Sequence, residues 1–378
     1  MHQPCLIDLV PIVACFVAAA HCGSGEEATA PGSNDASSAT VVTGAGGTND
    51  SNTSQGGSNS TTQGTAGTGG ASTSSTQTGP IQSDGFTTVF TILLENHDYN
   101  EVVGNTKDTQ YMNKLIAQHG LATNYFDSGY HPSLPNYLYL IAGDQPYSSL
   151  CKHLPLLPQN HCVDADPQTG ALLKLHPAFP VDIDNLGHQL EVAGIAWRSY
   201  QEGMGTACNL AANDAGHYAP KHDPFLYFTN IQEGPDLLCE KRNVDYAKFD
   251  SDLASGKYRY MWITPNLIND GHDPAGSPDV ALKQSDDWLS VEVPKILQSD
   301  VYKKGGIIFI TWDEAEGRNG NNGDQIPMIV ISPKLKSAGF KSATLLSHAS
   351  YLATIEEIFA LPKLGDAQTA TTLTEFFE

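Results

Sequence analysis

Lysine and arginine are scarce in this chain: 20 of them face 42 Asp and Glu in 378 residues, a formal net charge of −22. None of them precedes Gly85. Coating a nucleic-acid backbone needs a basic face, so nucleic acid is excluded as a partner. Any phosphate handled by so acidic a chain has to meet local cations, and a metal is the obvious source. From Gly23 to Asp84 aromatics are also missing and large aliphatics nearly so. That tract cannot bury enough apolar surface to offset backbone ordering, about 1–2 kcal/mol per residue. It reads as a flexible Ser/Thr/Gly-rich linker. Cys-x-x-Cys spacings are lacking, which argues against a cysteine zinc site. The Gly-rich loop Gly317–Gly323 lacks the Lys-Ser/Thr of a P-loop. No Gly-x-Ser-x-Gly elbow surrounds Ser133, the serine considered below.

The N-terminus has an apolar run, Leu6–Ala20, interrupted by Asp8 and Pro11. It is shorter than the roughly 20 apolar residues of a bilayer span. It ends in Ala18-Ala19-Ala20-His21-Cys22, so residues 1–22 read as a signal peptide. Cys22 before Gly-Ser-Gly resembles a bacterial lipobox, and the chain is expected to be exported, either lipid-anchored or secreted. Any contact with a membrane is then through that anchor. Four cysteines remain beyond the leader: Cys151, Cys162, Cys208 and Cys239. An even number in an exported protein implies two disulfides. Cys151–Cys162 and Cys208–Cys239 are expected, because each closes a local loop.

Beyond the linker, Gly85–Glu378 reads as one α/β domain. Strands are expected at Thr87–Leu94, Ile195–Tyr200, Tyr258–Thr264, Gly306–Trp312 and Ile326–Ile331. Helices are expected at Thr109–His119, Pro135–Ala142, Asp184–Ala193, Asp279–Ser299 (with a kink or break at Pro294) and His348–Phe359. Apolar strands alternating with helices imply a mostly parallel sheet covered on both faces, a three-layer sandwich. Trp197, Tyr200, Trp262 and Trp312 are read as core aromatics, and Tyr137 and Tyr139 as helix packing.

Ligands of open parallel sheets bind outside the carboxyl ends of the strands. Three strands here run directly into polar residues: Glu95-Asn96-His97, Pro265 through Asp273, and Asp313-Glu314. Converging carboxylates repel unless a cation lies among them. Hard oxygen donors with a few imidazoles suit Zn, Mn, Mg or Ca. His131-Pro132-Ser133-Leu134-Pro135-Asn136-Tyr137 places Ser133 near a helix N-terminus, where free amides and the helix dipole favour an oxyanion or phosphate. That serine is a candidate nucleophile, and a helix N-cap is the commoner use of such a residue.

These segments, taken with Lys221-His222-Asp223-Pro224-Phe225, Thr264-Pro265-Asn266 and Ser347-His348-Ala349-Ser350, occur in an order that resembles the phosphoesterase family. That family includes acid phosphatases and non-specific phospholipases C, within the alkaline-phosphatase superfamily. The resemblance implies an alkaline-phosphatase-like fold and a metal-dependent phosphoester hydrolase with a covalent intermediate on Ser133. Its substrate is a small phosphoester or a phospholipid headgroup, with a phosphomonoester ranked ahead of a phospholipase C-type diester. It further implies metal ligation by Glu95, Asn96, Asp313 and Glu314, with Asp273 and His348 as further ligands, one or two divalent ions in all. His131, His222 and His272 are expected near the phosphate, with Asn136, Asn266 and Arg318 as substrate-binding residues. An inactive envelope-bound binding lipoprotein is the rival reading.

Overall fold

The computed structural model describes residues 85–143, 164–167, 181–272, 278–316 and 323–377. The leader, the linker, Cys151, Cys162, Asp273 and Arg318 lie outside the described residues.

The principal strands are β1 (Thr88–Leu94), β2 (Gly120–Ala122), β3 (Tyr125–Phe126), β4 (Trp197–Gln201), β5 (Asn243–Asp245), β6 (Tyr260–Thr264), β7 (Gly306–Trp312), β8 (Met328–Ile331), β9 (Phe340–Ser342) and β10 (Leu346–Ser347). The helices that matter here are α1 (Gln110–Gln118), α2 (Ser133–Ala142), α3 (Leu186–Val192), α4 (Pro278–Gln298) and α5 (His348–Ile358). Eight strands form one sheet in the order β5-β4-β6-β1-β7-β8-β2-β9. β8 pairs antiparallel with both its neighbours, and every other pairing is parallel. The mostly parallel α/β sheet expected from the sequence is therefore present. The reversed sense of β8 had no local signal, because an apolar run looks the same in either direction.

The sheet centre is dry. Every residue of β1, β6 and β7 is buried, as are the rings of Trp197, Tyr200, Trp262 and Trp312. β1 and β7 pair along their whole length, from Thr88 opposite Gly306 to Leu94 opposite Trp312. The start of one helix departs from the sequence reading, and of the kink or break expected at Pro294 the break is absent. α2 starts at Ser133, two residues early, because Pro132 can occupy the N-cap and Pro135 the first turn without losing a helical hydrogen bond. α4 passes through Pro294 as one helix. Burial of Leu289, Val293 and Ile296 holds it together, which outweighs the missing amide. α2 ends at Gly143, whose φ of 63° is left-handed. A Cβ there would come within 2.8 Å of the Leu364 carbonyl oxygen.

Cys208 and Cys239 are bonded, closing a loop with a sequence separation of 31. Loop-closure entropy of that length is worth about 3–4 kcal/mol. Replacing both cysteines by serine is expected to lower the free energy of unfolding by about 3 kcal/mol in urea titrations.

Glu356 on α5 is fully buried. One of its oxygens accepts from the Leu364 amide at 2.8 Å, and the other has no hydrogen-bond partner. Burial raises its pKa from 4.5 to about 8. The folded state then holds a proton that the unfolded chain releases. Glu356 stabilises the fold fully below pH 4.5, and that contribution fades as pH rises through about 8. Glu356→Gln is expected to remove this part of the slope, so that melting temperatures measured at pH 5 and pH 8 lie closer together than in the parent.

Candidate active site

The site lies at the carboxyl ends of β1, β6 and β7, and strand register assembles it. Because Leu94 pairs with Trp312, the next residues, Glu95 and Asp313, leave the sheet side by side. The Asp313 amide donates to the Leu94 carbonyl at 3.0 Å, and the Glu95 amide donates to the Asp270 carbonyl at 2.9 Å. The segment after β6 is thereby tied to the end of β1. Asn96 takes a left-handed φ of 50°, which asparagine tolerates. In that conformation its amide donates to Asp313 Oδ1 at 3.0 Å. Its side-chain amide donates to Glu95 Oε2 at 3.3 Å.

Ser133, the first residue of α2, is buried and donates its hydroxyl to Glu95 Oε2 at 2.8 Å. Tyr137, one turn later, donates to Glu95 Oε1 at 2.5 Å. The Tyr137 ring stacks on His222 with centroids 5.2 Å apart. His222 Nε2 is 3.4 Å from Glu95 Oε1, and its Nδ1 is 3.8 Å from Asp270 Oδ2.

Burial pushes the Glu95 pKa well up, and the charges of Asp313 and Asp270 push it further. Asp313 is raised by burial and then by Glu314. His222 is held well below the usual imidazole range by burial, and Lys221 and His272 add to that effect. These carboxylates destabilise each other's charge, and Asp313 Oδ2, fully buried, has no hydrogen-bond partner. Such a donor set fits a hard divalent cation. As the side chains stand, no three His, Cys, Asp or Glu among the described residues converge closely enough to surround one ion.

A second group lies beside the first. His131 Nδ1 donates to Glu314 Oε2, and His131 Nε2 is 3.9 Å from Asp324 Oδ2. Asn136 donates to the Tyr130 carbonyl at 2.8 Å and to Glu314 Oε2 at 3.4 Å. Asp127 accepts from the amides of Gly129 at 2.8 Å and Asp324 at 2.9 Å. Burial raises its pKa to about 6.

Two expected site residues are placed differently, and a third keeps its place beside the site. His348 is fully buried and uses both ring nitrogens on the protein. Its Nε2–H donates to the Asp313 carbonyl at 2.7 Å, and its Nδ1 accepts from the Tyr125 hydroxyl at 3.0 Å. Burial lowers its pKa to about 4, so the ring is neutral. In this arrangement it braces the Asp313 backbone and presents no nitrogen to a metal. Asn266 caps its own turn, accepting from the amides of Ile268 at 3.1 Å and Asn269 at 3.2 Å and donating to the Gly216 carbonyl. That satisfies its side chain locally instead of offering it to a substrate. His272 is exposed on the rim, where Asn96, Gly271, Glu314 and Glu316 share with it a pocket of about 160 Å³.

Sequence reasoning missed several participants. Tyr137 reads as packing, and its period does place it on the buried face, but its hydroxyl reaches Glu95. Lys221 stood beside His222 without a role, although it acts electrostatically on both Glu95 and His222. Asp127 and Asp324 come from loops without periodicity, so no local pattern marks them.

The fold and the site together define an α/β sandwich with a serine and buried carboxylates at the carboxyl edge of its sheet. The chain belongs to the Phosphoesterase family, whose model matches residues 105–362. A probable acid phosphatase of Kluyveromyces lactis is 30% identical over 294 residues, 75% of this chain and 61% of that protein. The chain thus spans about three fifths of the length of that relative. A phosphatidylinositol-3-phosphatase of Mycobacterium tuberculosis is 28% identical over 77% of this chain and 83% of its own length. Among solved structures, a protein in the alkaline phosphatase superfamily from Vibrio parahaemolyticus is similar over 77% of this chain and 72% of its own, with a TM-score of 0.49 at 15% identity.

The Tyr137 hydroxyl donates one of the few hydrogen bonds that the buried Glu95 side chain receives. Tyr137→Phe is expected to lower the free energy of unfolding by about 2 kcal/mol in denaturant titrations at pH 7.

Proposed function

We propose that the chain hydrolyses phosphate monoesters with Ser133 as nucleophile and a divalent cation held by Glu95 and Asp313, with Asn96 and Glu314 beside them. The observation that carries this reading is the contact of the Ser133 hydroxyl with Glu95 Oε2 at 2.8 Å. It sets a serine at a helix N-terminus against a carboxylate whose charge the surroundings oppose. The names of the relatives, an acid phosphatase and a phosphatidylinositol-3-phosphatase, support a phosphomonoester over a diester. The leader and the linker support an exported enzyme, anchored through Cys22 or secreted.

A bound cation supplies positive charge against the phosphoryl oxygens and the serine oxygen. The protein's own groups do the rest. Glu95 takes the hydroxyl proton as Ser133 Oγ bonds to phosphorus. The bond from phosphorus to the ester oxygen breaks in line with that attack. His131, two residues before Ser133 and hydrogen-bonded to Glu314, gives the leaving alkoxide its proton. Water then cleaves the phosphoserine by the reverse geometry, releasing phosphate and restoring the hydroxyl. Tyr137 and Asn96 orient Glu95, and His348 keeps Asp313 in place from behind.

Ser133→Ala is expected to reduce turnover of 4-nitrophenyl phosphate by at least about a thousandfold in a protein that still folds cooperatively. Near-normal turnover in that variant would remove Ser133 from the mechanism. A chelator is expected to abolish activity and lower the melting temperature together, with one divalent ion restoring both. Metal-free protein with full activity would leave a serine–histidine mechanism without a cation. Bis(4-nitrophenyl) phosphate assayed beside the monoester separates the two ester classes. A preference for the diester would support the phospholipase C-type reading.

A further inference from the structure

The N-terminal end of α2 offers few donors, because Pro132 and Pro135 have no amide hydrogen. Ser133 and Leu134 are therefore the two successive amides beside the nucleophile. The Leu134 amide is already engaged by a carboxylate, donating to Asp164 Oδ1 at 3.2 Å. The other oxygen of the same carboxylate, Asp164 Oδ2, accepts from Lys221 Nζ. Asp164 thus bridges a helix-end amide and an ammonium group next to Ser133, as two oxygens of a phosphoryl group do.

Independently of that bridge, His222, the residue after Lys221, is buried and its Nε2 makes no hydrogen bond. It stands 3.4 Å from Glu95 Oε1. The turn that carries Asp164 is pinned by its neighbours and not by Asp164 alone. The Ala165 carbonyl accepts from the Tyr227 hydroxyl at 2.8 Å, and Asp166 Oδ1 accepts from the Lys221 amide at 3.1 Å. The Asp164 carboxylate can therefore rotate away without the turn moving.

We propose that Asp164 occupies the anion seat of the active site as an internal stand-in for phosphate, and that Lys221 and the Leu134 amide are the donors a substrate phosphoryl group takes over when it displaces that carboxylate. This inference rests on the reading of Ser133 as nucleophile and names the groups that bind the phosphoryl oxygens. Lys221 then serves two states, neutralising Asp164 in the resting protein and the phosphoryl group in the complex. The exchange of one anion for another keeps the ammonium paired throughout. It also weakens the binding of free phosphate, the product, because every phosphate that enters must displace an intramolecular competitor.

The test is calorimetric titration of inorganic phosphate into the purified protein at one pH and one salt concentration. Asp164→Ala is expected to tighten phosphate binding about tenfold and Lys221→Met to weaken it about tenfold. In the Lys221→Met background, Asp164→Ala is expected to gain less than about twofold, because the competition is for that ammonium. Loss of one negative charge acting at a distance would instead give the same gain in both backgrounds, and that result overturns the proposal. So does an Asp164→Ala protein that binds phosphate no tighter than the parent. Should Asp164→Ala fail to fold, Asp164→Asn keeps an acceptor for the Leu134 amide and is expected to tighten binding about threefold; unchanged binding in that variant overturns the proposal equally. Repeating the titrations on Ser133→Ala reads the seat without turnover. Failure of the anion-seat inference is thus distinguishable from failure of Ser133 as nucleophile, which the 4-nitrophenyl phosphate assay reports.

Discussion

Glu95 and Asp313 are forced together by the pairing of β1 with β7, and the rest of the site is arranged around that conflict. Two central strands run parallel and in register to their ends, so the residues that follow them share one edge. Both of those residues are carboxylates, both are fully buried, and each opposes the ionisation of its surroundings. Isolated buried charge of this kind is unstable without compensation. The compensation is visible in the donors gathered on Glu95 from α2, Ser133 and Tyr137, and in the Asn96 amide on Asp313. The placement of Ser133, the proposed nucleophile, is therefore a by-product of satisfying a carboxylate. A divalent cation would complete the same compensation, which ties its proposed chemistry to stability.

Around this centre the protein is built to hold orientation. The His348 ring, buried and neutral, links β3 through Tyr125 to the backbone of Asp313. The short pairing of β3 with β10 places Tyr125 and the start of α5 side by side. His131, Asn136 and Glu314 form a second knot that connects the start of α2 to the end of β7. Each connection joins segments far apart in the chain. Small shifts of α5 or of the β3–β10 pair would thus reach Asp313 through hydrogen bonds and not through contact with substrate.

The chain belongs to the Phosphoesterase family, and the proposed reaction needs positive charge beside Ser133. Lys221 supplies cationic character beside Glu95 in a chain that is otherwise strongly acidic. Its pairing with Asp164 keeps that charge satisfied before any substrate arrives. Local cations within an acidic frame answer the composition: repulsion of phosphate by the whole molecule is screened over about 10 Å at moderate salt, whereas a half-buried ammonium acts at contact.

The apolar runs of β1, β6 and β7 and the polar residues that end them were legible in the sequence, because a buried parallel strand leaves a continuous hydrophobic signature and its end is marked where that signature stops. The order of motifs was enough to name the family, and the Cys208–Cys239 pair followed from local loop closure. That β1 and β7 end side by side was expected from the carboxylates that follow them, but the residue-by-residue register was not legible, since it depends on contacts hundreds of residues apart. That is why the sense of β8, the reach of Tyr137 to Glu95 and the bracing role of His348 emerge only in three dimensions. Asn266 shows the converse: its place after β6 matched a motif, yet its side chain closes its own turn. A sequence records which side chains are available at a strand end. Which of them face one another is decided by packing, because hydrogen-bond partners are chosen by distance in space and a one-dimensional pattern carries no such distance.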